Sequence, residues 1–220
     1  MYIVCPLEFE RRSLAPLARA RGWTLVRTGP GTAGMDRWAR GADLPPAGAR
    51  VILAGLAGAT APLSPDRAIR VGTVADQEGN EWTAPGVPEP DRAFRCLCVS
   101  HVLANPEAKD RAARQWRVDI ADMESAPFAR LATARGWDWA VVRGISDGVD
   151  ETLPEGIEGW TDADGRTRLW KVIASILRAP TLLPRLRVLR DRSRRAMRAV
   201  AAALDRLEPA PQRAVRPTAP

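Results

Sequence analysis

The sequence predicts an α/β domain in which a mixed or mainly parallel sheet is flanked by helices. Three observations carry this. Apolar runs of strand length, "MYIVC", "VILAG", "FRCLCVS" and "DWAVVRGIS", alternate with segments of helical period. Gly22 and Gly136 stand where helical segments stop, as glycines at helix C-termini do. The apolar run that starts at Arg50 ends in small residues, Gly55 to Gly58, the composition of a strand exit where something approaches the backbone. At 220 residues the chain suffices for one core plus an appendage.

In order along the chain, "MYIVCPL" reads as a buried strand and "EFERRSLAPLARARG" as the helix after it. "WTLVRTGPG" is a strand entering a glycine turn, followed by a helix from Thr32 to Gly41. A Pro/Gly linker, "GADLPPAGA", leads to the strand at Arg50. "IRVGTVADQEGNEWTAP" alternates like a hairpin, and "FRCLCVS" is a further strand. Asn105 and Pro106 open the helix "NPEAKDRAARQ". "SAPFARLATARG" is the next helix and "DWAVVRGIS" the last strand. The expected organisation is a domain over 1–170, a basic amphipathic helical extension over 171–208, and a tail over 209–220 with the composition of disorder.

The net charge is +7 and the pI about 10.5, yet lysine occurs only at Lys109 and Lys171. Between Arg178 and Arg198 eight arginines face one acid, Asp191. Leu182, Leu183, Leu186 and Leu189 recur there at helical spacing, which suits the 178–198 segment to an anionic membrane surface. The arginines interrupt the apolar run, so it does not span a bilayer. A helix docked on the domain with a solvated basic face, or a dimer contact, fits the same pattern. Arginines gathered in one tail, without interleaved aromatics, argue against nucleic acid as partner. Three cysteines exclude a disulfide framework and suit a reducing, cytoplasmic compartment. Cys96 and Cys98 share a strand face near His101 but lack a fourth ligand, so no metal site is expected. "MYIVCP" has no basic n-region, and no signal peptide is expected.

Ligands of open α/β sheets bind at the carboxyl ends of strands. That rule gathers Glu10, Gly29 to Gly31, Gly55 to Gly58, the Ser100 region, Ser146 and Asp147 at one edge. Asp147 follows a buried run, so its carboxyl is expected to be desolvated and raised toward the range of a general acid. "SDG" also reads as a simple loop cap. Glu124 lies at the start of its helix, where an acid is favoured by the dipole even without a ligand.

Together these residues carry a resemblance. "DMESAPFARLATARGWDWAVVRGISD" resembles the signature of the purine nucleoside phosphorylase and nucleosidase superfamily, in which Met-Glu opens a helix and Ile-Ser-Asp follows a strand. "VILAGLAGA" is similar to its glycine-rich strand, and "IVCPLEFE" to its first strand and acidic turn. The resemblance implies a three-layer phosphorylase-type fold and cleavage of the N-glycosidic bond of a purine nucleoside, by phosphate or by water. It implies Asp147 as the acid at purine N7, oriented by Ser146. Glu124 would hold the ribose hydroxyls, with Met123 packed on the sugar and Gly55 and Gly58 beside the substrate. Glu10, with Glu8 as fallback, would activate water. Phosphate, where it is the co-substrate, would fall to Gly29, Gly31 and Arg11, and no other cofactor is implied. Two departures stand out: Leu56 occupies a phosphate-donor position, and the base-stacking aromatic has no counterpart, which leaves Leu103 or Val102 to line that pocket.

The C-terminal segment is similar to the tail of hopanoid-associated phosphorylases. That likeness implies release of adenine from adenosylhopane by an enzyme on the inner face of the membrane. The superfamily also implies a homo-oligomer, a dimer in the simplest case. A non-catalytic nucleoside-binding module on the same fold is the alternative, against which stands the presence of all three carboxylates.

Overall fold

The computed structural model describes residues 1–85, 94–154, 159, 161–167 and 182–207. Its strands are β1 (Tyr2–Cys5), β2 (Thr24–Arg27), β3 (Arg50–Ala59), β4 (Ala68–Asp76), β5 (Glu81–Thr83), β6 (Phe94–Cys98), β7 (Ile120–Asp122) and β8 (Asp138–Asp147). Its helices are α1 (Glu8–Arg21), α2 (Gly31–Ala39), α3 (Pro106–Trp116), α4 (Ser125–Ala134) and α5 (Leu182–Asp205). The eight strands form one mixed sheet in the order β2-β1-β3-β7-β6-β4-β5, with β8 parallel to β3 and antiparallel to β4. β3, β8, β4, β6 and β7 therefore close a circuit of pairings.

Period-two alternation gives the sheet two apolar faces. Val51 and Leu53 of β3 point into a cluster with Met35 of α2 and Phe128, Ala129 and Ala132 of α4. Ile52 and Ala54 point the other way, onto Leu14 of α1 and Met197, Val200 and Leu204 of α5. A third, smaller cluster seats Ala112 of α3 on Leu97 and Val99. Helices thus cover both faces, as the three-layer reading expects. Local signals set their limits. Gly22 closes α1 in the left-handed region, and the Asn105 side chain caps α3 by accepting from the Ala108 amide at 2.9 Å.

Three expectations need correction. The small residues at 55–58 are not a strand exit, because β3 runs on through Ala59, with a register shift between Ala57 and Gly58. β7 is only three residues long and carries no periodicity that the sequence displays. Most consequential, the basic segment is not simply an appendage. Ala196, Met197, Val200 and Leu204 are buried against β1, β3 and β8, so the second half of α5 completes a layer of the domain. It packs so closely that a Cβ at Gly144 of β8 would stand 2.8 Å from the Ala196 carbonyl oxygen. The first half of α5 is mostly exposed and carries Leu183 and Val188. The expected boundary at 170, the start of the extension at 171–181 and the tail at 209–220 lie outside the described residues.

The two halves of α5 should respond differently to substitution. Met197→Ala is expected to lower the free energy of unfolding by about 2–5 kcal/mol, the range for truncating a buried methionine. Leu183→Ser should change it by less than about 0.5 kcal/mol. Urea titration of both variants checks this, and equal effects would remove α5 from the core.

Candidate active site

Residues from three strands, four helices and the loops between them enclose a cavity of about 500 Å³, a volume suited to a nucleoside. Its walls include Glu10, Gly58, Leu103, Asp122, Met123, Glu124, Ser146 and Asp147. The structure thus brings to one cavity most of the residues that the sequence gathers at one edge. Val102 also lines the cavity, as do Leu189 and Ser193 from α5. The C-terminal helix therefore contributes wall as well as core.

Glu10 sits at the third position of α1, where its Oε2 accepts the Leu7 amide at 2.8 Å and its Oε1 the Leu56 amide at 2.8 Å. Burial dominates nonetheless and pushes its carboxyl up to about 7, with Arg143 opposing and Glu124 adding to the rise. Glu8 differs sharply. Hydrogen bonds from Arg11, Arg12 and Arg27 hold its carboxyl well below the usual range, and it faces away from the cavity. Of the two acids after β1, Glu10 alone has the position and the proton affinity of a base.

Glu124 occupies the N-cap of α4 without capping it. Its Oε1 instead accepts the amide of Gly31 at 2.7 Å, at the positive end of α2. Asp122 takes up the α4 terminus, accepting from the Ser125 amide at 3.1 Å and the Ser125 hydroxyl at 2.7 Å. Burial raises the Glu124 carboxyl, Arg143 lowers it, and the Asp122 carboxylate adds to the rise.

Beneath these acids lies Arg143, fully buried on β8. Its Nε donates to Asp122 at 2.7 Å, and Nη2 reaches Asp122 at 2.5 Å and Glu124 at 3.4 Å. Burial opposes its charge, but Asp122, Glu124 and Glu10 outweigh that and hold the guanidinium firmly protonated. Nη1 has no hydrogen-bond partner among the described residues. Gly55 explains how so much charge fits: a Cβ there would stand 2.5 Å from Glu10 Oε1 and 2.6 Å from Arg143 Nη1. Gly55 thus supports the acids from behind rather than touching the cavity.

Asp147, at the end of β8, is buried as expected, but it is paired. Its Oδ1 accepts the Ser146 hydroxyl at 2.7 Å, as expected. Its Oδ2, however, accepts the ammonium of Lys109 at 2.6 Å, and both side chains are buried. Gly58 lies against the carboxylate, where a Cβ would be 3.0 Å from Oδ2. Asp147 is therefore half of an ion pair, not a loop cap.

The phosphate residues are not brought together. The Gly29 amide donates to the Pro6 carbonyl at 3.1 Å and the Gly31 amide to Glu124, while Arg11 is held by Glu8 at 2.8 Å. Neither Gly29 nor Arg11 lines the cavity. Sequence reasoning missed Asp122, Arg143 and Lys109. Cys96 and Cys98 are buried core thiols, His101 is exposed, and no metal-binding group of three or more ligands occurs among the described residues.

Comparison with known proteins agrees with this geometry. The profile of the Phosphorylase superfamily matches residues 92–178. Among solved structures, futalosine hydrolase of Helicobacter pylori superposes with a TM-score of 0.64 at 12% identity, covering 93% of this chain and 94% of that one. The 5′-methylthioadenosine/S-adenosylhomocysteine nucleosidase (MTAN) of Helicobacter pylori gives 0.61 at 12% identity, covering 94% and 97%. The MTAN of Chlamydia trachomatis bound to MTA gives 0.59 at 13% identity, covering 92% and 94%. Likeness at this identity establishes the fold. A search of curated proteins gives no match.

Arg143→Leu should lower the free energy of unfolding by about 3–5 kcal/mol, because it strands Asp122 and Glu124 as uncompensated buried carboxylates. Chemical denaturation reads this directly. A loss below about 1 kcal/mol would mean that the two acids do not depend on the guanidinium.

Proposed function

We propose that this protein hydrolyses the N-glycosidic bond of an adenosine-type purine nucleoside. One observation carries water over phosphate: the pocket and its floor hold five carboxylates, Glu10, Asp122, Glu124, Asp147 and Asp162, against two cations, Arg143 and Lys109. A surplus of negative charge stabilises the ribosyl oxocarbenium that forms as the bond breaks, and it repels an incoming phosphate anion. The engaged amides of Gly29, Gly31 and Leu56 support the same reading.

In this mechanism Glu124 accepts hydrogen bonds from the ribose hydroxyls and Met123 packs on the sugar, both on the cavity wall. Asp147, steadied by Ser146, delivers a proton to purine N7, so that the base leaves neutral. Glu10 takes a proton from the attacking water. A carboxyl with affinity near 7 is well matched to that task at neutral pH. The solved relatives named for nucleosidase or hydrolase activity favour an enzyme of this class over a binding module.

The finer reading is a lipid-linked nucleoside of the adenosylhopane kind, cleaved at an anionic membrane surface. Leu189 and Ser193 join the cavity wall to the exposed half of α5, where Leu183 and Val188 stand among Arg185, Arg187, Arg190, Arg194 and Arg198. No helix among the described residues is long and apolar enough to cross a membrane.

Purine release should therefore occur from adenosine, methylthioadenosine or a 5′-alkyl-adenosine equally with and without phosphate. Because Glu10 must be ionised to accept a proton, kcat/KM should climb as pH rises through about 7, and Glu10→Gln should abolish that rise. The same shift destabilises the ionised fold: the contribution of Glu10 to stability is present below 4.5 and lost as pH rises through about 7. Release that requires phosphate would refute hydrolysis.

For the surface reading, replacing Arg187, Arg194 and Arg198 by Glu should weaken binding to anionic lipid vesicles by at least about 3 kcal/mol, near 1 kcal/mol per lost arginine. Binding to neutral vesicles is the control. Unchanged sedimentation with anionic vesicles would reject a membrane role for α5.

A further inference from the structure

Lys109 is one of two lysines among the 33 Lys and Arg residues of this chain, and it is the one buried beside the candidate site. Where arginine is so strongly preferred, a lysine in contact with Asp147 calls for a chemical reason. The two cations differ in one property above all. An ammonium is compact, directs three N–H donors tetrahedrally and can lose a proton, whereas a guanidinium is planar and keeps its charge.

The surroundings of Nζ use all three donors. Two go to backbone carbonyls, Gly148 at 2.6 Å and Glu151 at 3.1 Å. The third goes to Asp147 Oδ2 at 2.6 Å. No donor remains for substrate, so Lys109 acts only through Asp147. An ion-paired carboxylate, for its part, has no proton of its own to give to a leaving base. The ammonium beside it has.

We propose that Lys109 is the proton source for Asp147, so that the lysine–aspartate pair, and not Asp147 alone, is the acid of the reaction. This rests on the hydrolase reading. As the C–N bond breaks, its electron pair passes to the purine, and N7 takes a proton from the Asp147 carboxyl. That carboxyl draws its proton from Nζ. Lys109 is left as an amine whose two remaining N–H bonds still point at Gly148 and Glu151, with its lone pair toward Asp147. Water adds to the ribosyl carbon and yields its proton to Glu10. Solvent then removes the proton from Glu10 and restores the ammonium, so one water is consumed for each purine and ribose released.

The carbonyl cradle is itself held in place. Arg192 of α5 pairs with the Glu151 carboxylate, Arg185 donates to the Thr152 carbonyl at 2.8 Å, and the Leu153 amide donates to Ala104 at 2.8 Å. The charged groups around the pair are thus Glu151 with Arg192, and the cavity carboxylates Glu10, Asp122, Glu124 and Asp162. None of them replaces the third proton of Nζ.

The test compares wild type with Lys109→Met and Lys109→Arg, with thermal unfolding as the check that each variant folds. In Lys109→Met, kcat at pH 8 should fall about a hundredfold or more while KM changes by less than about threefold. Activity should return partly as pH falls, because protons from solvent then replace the one that Lys109 supplies. Lys109→Arg keeps the charge but cannot yield a proton, and it should remain impaired at pH 8. Full activity in the arginine variant, or an unchanged pH profile in the methionine variant, overturns the proposal and leaves the lysine a structural anchor.

A measurement on the unmodified protein stands apart from the folding of variants. With lysine labelled at Nζ by nitrogen-15, the spectrum holds side-chain signals from only Lys109 and Lys171. The titration of Lys109 should coincide with the alkaline fall of kcat. A Lys109 ammonium that persists where turnover is already lost overturns the proton-source role. Wild type that releases no base from any nucleoside refutes the hydrolase reading itself, whereas active wild type with an indifferent Lys109 refutes only this inference.

Discussion

A guanidinium with no exposed surface persists inside this domain because carboxylates surround it, and those carboxylates persist because it is there. Arg143 engages Asp122 at 2.5 Å and Glu124 at 3.4 Å, and its charge is felt at Glu10. Asp122 in turn anchors the start of α4, and Glu124 ties that helix to the first residue of α2. One buried cation therefore sets the relation between two helices, one strand and the acids that face the cavity. Desolvation makes such a cluster expensive to assemble, and geometry compensates it only when every partner is in place. Gly55 belongs to the same constraint, since any side chain there would stand between the guanidinium and Glu10.

The second charged unit, Lys109 with Asp147, also lines the cavity and is organised differently. Arg143 is enclosed by its acids; the lysine pair is held by two backbone carbonyls and a hydroxyl. A basic protein thereby presents an acidic pocket. Most of its positive charge lies outside, notably on the exposed half of α5, and carboxylates line the cavity.

Much of the fold is legible in the sequence, because strand-length apolar runs and helix-closing glycines are local signals. Glu10, Glu124, Ser146 and Asp147 are legible too, since each stands at a strand end or helix start. The residues that connect them are not. Arg143 is embedded in "AVVRGIS", where strand periodicity hides it, although a cation in an otherwise buried strand was a signal in plain view. Lys109 lies mid-helix with no motif around it, and only its rarity beside so many arginines marks it. In α5 the leucines at 182–189 draw the eye, while the core spacing of Ala196, Met197, Val200 and Leu204 is masked by interleaved arginines. Pairings across such sequence distances leave no local trace.

The closure of one face by α5 has a further meaning for how the chain acquires its structure. Ile3 and Cys5 of β1 pack under Met197, Val200 and Leu204, and Arg21 meets Asp205 across 184 residues of chain. β1 thus waits for α5, far along the chain, before its outer face is dry. Until then Ile3, Ile52, Ala140 and Val142 form an open apolar surface on the incomplete fold. Loop-closure entropy makes such a contact late to form, so this layer closes after those built from neighbouring segments.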